Sequence, residues 1–201
     1  MIRVRLRAGG SHRTPRGAHR VTKKPAHFTW DGRHIARAVA RMAHQIVEAN
    51  AGSEGLVLLG IPTRGVLLAR RLADQIRSIE GVEVGVGELD VTMYRDDLRR
   101  QPTRAVGRTT IPRSIDDLTV VLVDDVLFTG RTIAASLDAL KDVGRPRIVQ
   151  LAVLIDRGHR QLPIQADHVG KQVQVPPDAR VNVRLAEIDE ADTVTISLTD
   201  L

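Results

Sequence analysis

Cysteine is absent from the 201 residues, so neither disulfides nor thiolate chemistry can contribute to the fold or to a reaction. That absence fits a reducing, cytoplasmic setting. Aromatic residues are nearly missing, with one Trp, one Tyr and two Phe. A core must therefore be assembled from Val, Leu, Ile and Ala, and few platforms exist for stacking on nucleobases. No apolar run approaches the roughly 20 residues that a membrane helix needs, so no membrane role is expected. No P-loop Gly-Lys-Ser/Thr and no Ser-His-Asp order is apparent. Hydrolase and NTPase readings are left without residues.

Positive charge is plentiful but unevenly placed. The formal charge is +6, yet residues 1–30 hold eight Lys or Arg and no acid. Removing those eight leaves 22 basic against 24 acidic residues, or −2, for the remainder. Residues 1–27, with Gly9-Gly10 and no sustained period, read as a disordered basic extension. An inert extension or over-long translation start, an accessory RNA-binding arm and a targeting segment all fit its composition. Residues 28–201 read as one domain.

In that domain helical and strand patterns alternate. Asp31 caps a helix running to about Ala49, with Ile35, Val39, Met42 and Ile46 as its apolar stripe and Arg33, Arg37, Arg41 and His44 on another face. Leu56 to Gly60 reads as a strand, Val66 to about Ser78 as a helix and Val82 to Leu89 as a second strand. A strand at 118–124, a helix from Ile133 to about Val143 and a strand from Arg147 to Ile155 follow. Such alternation predicts an α/β fold with a mainly parallel twisted sheet and right-handed crossovers.

The most informative stretch is Val120-Val121-Leu122-Val123-Asp124-Asp125-Val126-Leu127-Phe128-Thr129-Gly130-Arg131-Thr132. A buried parallel strand delivers two carboxylates at the edge where open α/β sheets bind ligands. Hydroxyls and a glycine follow at a helix start, where free amides and the helix dipole hold phosphate. The expected ligand is a sugar phosphate, with phosphate in the loop and ribose hydroxyls on the carboxylates. A second loop, Gly60-Ile61-Pro62-Thr63-Arg64-Gly65, adds a hydroxyl, a guanidinium fork and two glycines that let backbone approach a ligand. A third, Leu89-Asp90-Val91-Thr92-Met93-Tyr94-Arg95-Asp96-Asp97-Leu98, opens about fifteen polar residues that read as a lid excluding water. The pair Asp116-Asp117 reads as a turn, and His34 and His168 as surface or hood residues instead of metal ligands.

These segments resemble the signature of phosphoribosyltransferases that use 5-phosphoribosyl-1-pyrophosphate (PRPP). With Ile155-Asp156-Arg157-Gly158-His159-Arg160 in view, the resemblance narrows to the PyrR family of type I phosphoribosyltransferases, running from about Phe28 to the C-terminus. Members of that family regulate bacterial pyrimidine genes by binding mRNA and have uracil phosphoribosyltransferase activity. The resemblance implies a type I phosphoribosyltransferase-like fold with a small hood and a flexible lid loop. It implies that Asp124 and Asp125 face the ribose and Mg2+-bound water as catalytic and indirect metal-binding residues. Thr129, Gly130, Arg131 and Thr132 would then cradle the 5′-phosphate, while Thr63, Arg64 and Gly65 take the pyrophosphate and Arg95 joins the PRPP and nucleotide contacts. It places the uracil pocket at Leu154, Ile155 and Asp156, and RNA contacts at Arg37, Arg41, His44, Arg160 and Lys171. Implied partners are uracil, PRPP, UMP or UTP, the pyr mRNA leader, and further copies of the chain as a homodimer or higher homo-oligomer.

The sequence departs from the family pattern in places. Phe128 replaces a frequent Tyr, Gln165 replaces an Arg of some relatives, and Gln161 and His168 differ from the commoner Glu and Tyr. The lost charge at 165 weighs against RNA binding, because phosphate contacts dominate such affinity. A salvage phosphoribosyltransferase without RNA-binding regulation is the alternative reading, and a purine-salvage enzyme is disfavoured by the Asp156–Arg160 segment.

Overall fold

The computed structural model describes residues 29–95 and 108–198. The basic extension over 1–27 and most of the expected lid, with Asp96 and Asp97, lie outside the described residues.

Two sheets make up the architecture. Strands β2 (Leu56–Gly60), β3 (Gly85–Glu88), β4 (Thr119–Leu127), β5 (Ile148–Asp156) and β6 (His168–Gln172) form a parallel sheet in the order β3-β2-β4-β5-β6. Helices α1 (Gly32–Ala49) and α2 (Arg64–Glu80) pack on one face, and α3 (Arg131–Lys141) on the other. Because both faces are covered, the central strands are buried on both sides while still sorting side chains by parity. Leu56, Leu58, Val121 and Val123 join the core beneath α1 and α2; Val57, Leu59, Val120 and Leu122 join the core beneath α3.

Helix α1 is built as its sequence predicts. Asp31 accepts a hydrogen bond from the backbone N–H of His34, and Ile35, Val39, Met42 and Ile46 are all buried. Each such side chain contributes about 1.5–3 kcal/mol on burial. Helix α2 begins two residues earlier than the apolar pattern suggests and ends at Gly81, whose φ of 73° is the left-handed conformation that stops a helix.

The second sheet, antiparallel in the order β1-β8-β7, joins β1 (Thr29–Asp31), β7 (Arg180–Arg184) and β8 (Thr193–Ser197). It supplies the small accessory unit, and it draws on the N-terminal strand as well as on residues beyond Asp156. Val181 faces Ile196 and Val183 faces Val194 across the β7–β8 ladder.

Candidate functional site

The site lies where the strand order reverses. Chain leaving β2 turns through α2 to β3 on one side, while β4 lies on the other side of β2. Open α/β sheets bind ligands at such a reversal. Strand β4 runs on to Leu127, past the expected end at Asp124, but its pairing with β2 stops at Gly60↔Val123. Asp124 and Asp125 therefore project where β4 has lost one neighbour and still keeps β5. A crevice of about 400 Å³ opens there, lined by Ile61, Pro62, Thr63, Asp90, Val91, Thr92, Arg95, Asp124, Asp125, Val126 and Thr132.

Two helix N-termini bracket these carboxylates. Thr63 precedes α2 and Gly130 precedes α3; neither makes a side-chain capping bond, and neither helix has an acid in its first turn. The partial positive charge of both ends is thus left for an anionic ligand. Gly130 adopts a φ of 91°, which lets the chain turn sharply into α3. Arg95 donates to Thr132 Oγ1 at 3.2 Å, tying the segment after β3 to the start of α3.

Electrostatics set the carboxylates apart. Burial pushes the carboxyl of Asp124 well above the usual range, the charge of Asp125 adds to that, and Arg95 opposes it. Burial also raises Asp125, against a hydrogen bond with Asp124 and the charge of Arg64. Asp125 donates its backbone N–H to Asp124 Oδ1 at 2.9 Å, fixing the pair. Two desolvated carboxylates beside two positive helix ends suit a cationic or polyhydroxylated centre carrying phosphates. Oxygen donors of this kind suit Mg2+, and among the described residues no group of three or more metal-ligating side chains occurs. A cation here would take its remaining oxygens from ligand and water.

Several expectations need correction. Gly65 does not clear space for a ligand: a Cβ there would lie 2.3 Å from the Val123 carbonyl oxygen, so the glycine lets α2 sit on β4. The space beside Gly60 is filled in the same way by the Val66 backbone. Arg64 leans out of the crevice, donating from Nε and Nη2 to Asp189 at 3.0–3.2 Å. Leu154 and Ile155 are 1% and 0% exposed and belong to the core, so their side chains cannot line a uracil pocket. Asp156 keeps a half-buried carboxylate, but it accepts from Gly158 N–H and pairs with Arg160 at 2.7 Å.

Arg160 is no surface cation. Its guanidinium donates to the carbonyls of Leu127, Phe128, Gly158 and Ile164, besides pairing with Asp156. It staples the end of β4 to the segment after β5, which removes it from the RNA-contact set and places it against the loop into α3. Arg157 plays a similar part, donating to the carbonyls of Pro176, Pro177 and Ala179 with its guanidinium 4.0 Å from the Phe128 ring. Gln161 and Leu162 donate their amides to Thr129 O, and Gln161 Oε1 accepts from Arg131 Nε. His168 is a core residue at 4% exposure, its Nε2 3.3 Å from Gln150 Oε1. Asp116 and Asp117 do form a turn, with Asp116 accepting from Arg145 N–H.

The other RNA candidates stay exposed. Arg37, Arg41 and His44 are exposed along α1, and Lys171 is exposed on β6. Arg41 joins the two elements by donating to the carbonyls of Val169 and Gly170.

Residues 31–187 match the phosphoribosyl transferase domain family. A Bifunctional protein PyrR from Leifsonia xyli subsp. xyli is 61% identical over 167 residues, covering 81% of this chain and 91% of its own. The chain belongs to the PyrR family of phosphoribosyltransferases. Other PyrR proteins agree: that of Streptomyces coelicolor is 60% identical, covering 83% of this chain and 86% of its own, and that of Clostridioides difficile 53%, covering 83% and 94%. Among solved structures, a hypoxanthine phosphoribosyltransferase of Trypanosoma cruzi in complex with IMP superposes with a TM-score of 0.64, covering 86% of this chain and 94% of its own at 19% identity. A hypoxanthine-guanine phosphoribosyltransferase of Bacillus anthracis gives 0.63, covering 85% and 98% at 19% identity. These structures establish the type I phosphoribosyltransferase fold.

Two crevice residues of this PyrR family member escape a motif-led reading of its sequence. Asp90 follows β3 and accepts from Thr92 N–H and Oγ1 at 3.0 and 2.6 Å. Val126 supplies apolar surface to the crevice beside the carboxylates. An acid just beyond a parallel strand is the same signal that marks Asp124, and it was available for Asp90.

Proposed function

We propose that the chain transfers the phosphoribosyl group of PRPP to uracil, giving UMP and pyrophosphate, and also binds the pyr mRNA leader under the control of UMP or UTP. The observation that carries the catalytic half is the shared crevice: two helix N-termini without caps or acids, and between them the Asp124-Asp125 pair. PRPP has phosphate groups at two positions of one ribose, which is the pattern these two ends can hold.

The α3 terminus, with Thr129 to Thr132, takes the 5′-phosphate; the α2 terminus, with Thr63, Arg64 and Gly65, takes the pyrophosphate. Asp124 and Asp125 accept from the ribose hydroxyls. Asp124 and Asp125 would help to hold Mg2+, which when bound would supply charge neutralisation on the pyrophosphate. As the bond from C1 to the pyrophosphate oxygen breaks, a bond forms from C1 to the uracil ring nitrogen, and the carboxylate pair receives the proton that nitrogen sheds. Val126 gives the base an apolar wall.

The regulatory half rests on the PyrR relatives and on the exposed set Arg37, Arg41, His44 and Lys171, now without Arg160. Assembly as a homodimer or higher homo-oligomer and a cytoplasmic location belong to the same proposal. No helix among the described residues is long and apolar enough to cross a membrane.

One paired experiment tests both halves. The chain from Phe28 onward, which omits the basic extension, is assayed for UMP formation from uracil and PRPP. It is also tested by gel shift on its own pyr leader RNA and a scrambled RNA, with and without UMP. UMP formation together with a leader preference that responds to UMP is expected. Transfer without any preference for the leader leaves a salvage enzyme; absence of transfer to uracil overturns the catalytic assignment.

A further inference from the structure

The guanidinium of Arg64, expected to clamp pyrophosphate, is already clasped by a carboxylate. Asp189 lies in the turn between β7 and β8 and meets Arg64 in a two-pronged pair, with Nε 3.2 Å and Nη2 3.0 Å from its oxygens. The turn is itself pinned. Asp189 Oδ2 accepts from Leu185 N–H at 2.9 Å, and Arg71, farther along α2, holds Glu187 and Asp192 at 2.6–2.8 Å. Asp189 is thus a fixed anion, not a flexible side chain that happens to lie near a cation. Meanwhile the crevice next to Thr63 contains the acids Asp90, Asp124 and Asp125 against Arg95. A pyrophosphate entering it can be met directly by the Arg64 guanidinium only once that side chain leaves Asp189.

We propose that Asp189 is a positioning residue that competes with pyrophosphate for Arg64, holding the guanidinium out of the crevice and so setting the affinity for PRPP. The accessory sheet is then coupled to substrate binding: occupation of the pyrophosphate subsite takes Arg64 from Asp189 while Arg71 keeps the β7–β8 turn on α2, and return of Arg64 to Asp189 withdraws a charge from the subsite. The inference rests on the reading of Thr63 to Gly65 as the pyrophosphate loop.

The test uses the full chain, inorganic pyrophosphate as the titrant in calorimetry, and steady-state kinetics with PRPP. Asp189→Asn keeps an oxygen for the Leu185 amide but removes the charge that holds Arg64. It should tighten pyrophosphate binding by about fivefold, the scale of a partly exposed ion pair, and lower KM for PRPP more than it changes kcat. Affinity for UMP, which lacks a pyrophosphate, should not change. In an Arg64→Ala background, Asp189→Asn should have no effect on pyrophosphate binding. If Arg64→Ala weakens pyrophosphate but Asp189→Asn leaves it unchanged or weakens it too, Asp189 orients Arg64 for binding and the competition is overturned. If Arg64→Ala itself leaves pyrophosphate affinity at the wild-type level, the pyrophosphate-loop reading fails, and the competition with it.

Discussion

Single residues in this crevice trade stability for chemistry. Asp124 is buried and its carboxyl is raised above its ordinary value of 3.8, so ionising it in the folded chain is harder than in the unfolded one. A carboxyl raised in this way favours the folded state at pH below about 3.8, and that advantage is lost as pH rises through the folded value. Asp124→Asn removes the ionisation while keeping an acceptor for the Asp125 amide. The melting temperature of this variant should therefore exceed that of the wild type at pH 7.5, with the gap closing as pH falls to 4, while UMP formation collapses. A gap that does not depend on pH would show that the charge of Asp124 is not what burial penalises. Asp125→Asn should keep the fold and lower transfer by about 10² to 10⁴, the range of a general acid or base. Wild-type turnover in that variant, measured by UMP release, would remove Asp125 from the chemistry.

At the level of elements, close approach of one backbone to another decides where the site residues stand. Gly65→Ala would drive a methyl group into the Val123 carbonyl, with both partners held in α2 and β4. A loss of about 2 kcal/mol or more is expected, since neither partner can relax freely, and urea unfolding would read it. Arg160→Ala leaves Asp156 unpaired and four carbonyls short of a donor, so about 2–4 kcal/mol should be lost, together with transferase activity through the loosened phosphate loop. Unchanged activity with an unchanged melting point would return Arg160 to the surface set.

Elements also explain what was legible in the sequence. Helix α1, β2, β4 and β5 announced themselves because burial on one helical face or on both sheet faces leaves a pattern in the residues themselves. The carboxylate pair and the loop into α3 were legible as neighbours because they sit in one unbroken stretch. The roles of Gly65, Arg64, Arg160 and His168 were not, because each depends on a partner distant in the chain: Val123, Asp189, Phe128 and Gln150. The strands β7 and β8 carry a readable alternation, Val181 with Val183 and Val194 with Ile196, but at five residues each they are too short to stand out without knowledge of their pairing.

The whole molecule separates its two proposed tasks in space. Arg37 on α1 and Lys171 on β6 are exposed and lie outside the crevice lining. Replacing both with Ala should weaken leader binding and reduce the slope of log affinity against log salt by roughly 0.7–0.9 for each phosphate that is no longer neutralised. Transfer to uracil should be retained. An unaltered salt slope, measured on the chain lacking the basic extension, would move RNA recognition off these two residues.

The small sheet carries a consequence for synthesis. Among the described residues strand β1 pairs only with β8, Thr29 lying opposite Thr195, so the first strand described waits for one made 166 residues later. While the ribosome works through the parallel sheet, β1 has no neighbour to add to, and β7 has none either until β8 emerges. Long-range pairings of this kind form late. A chain stopped just before Thr193 would contain every residue of the crevice and still lose all the pairing in its second sheet, since β8 is the strand through which the other two are joined.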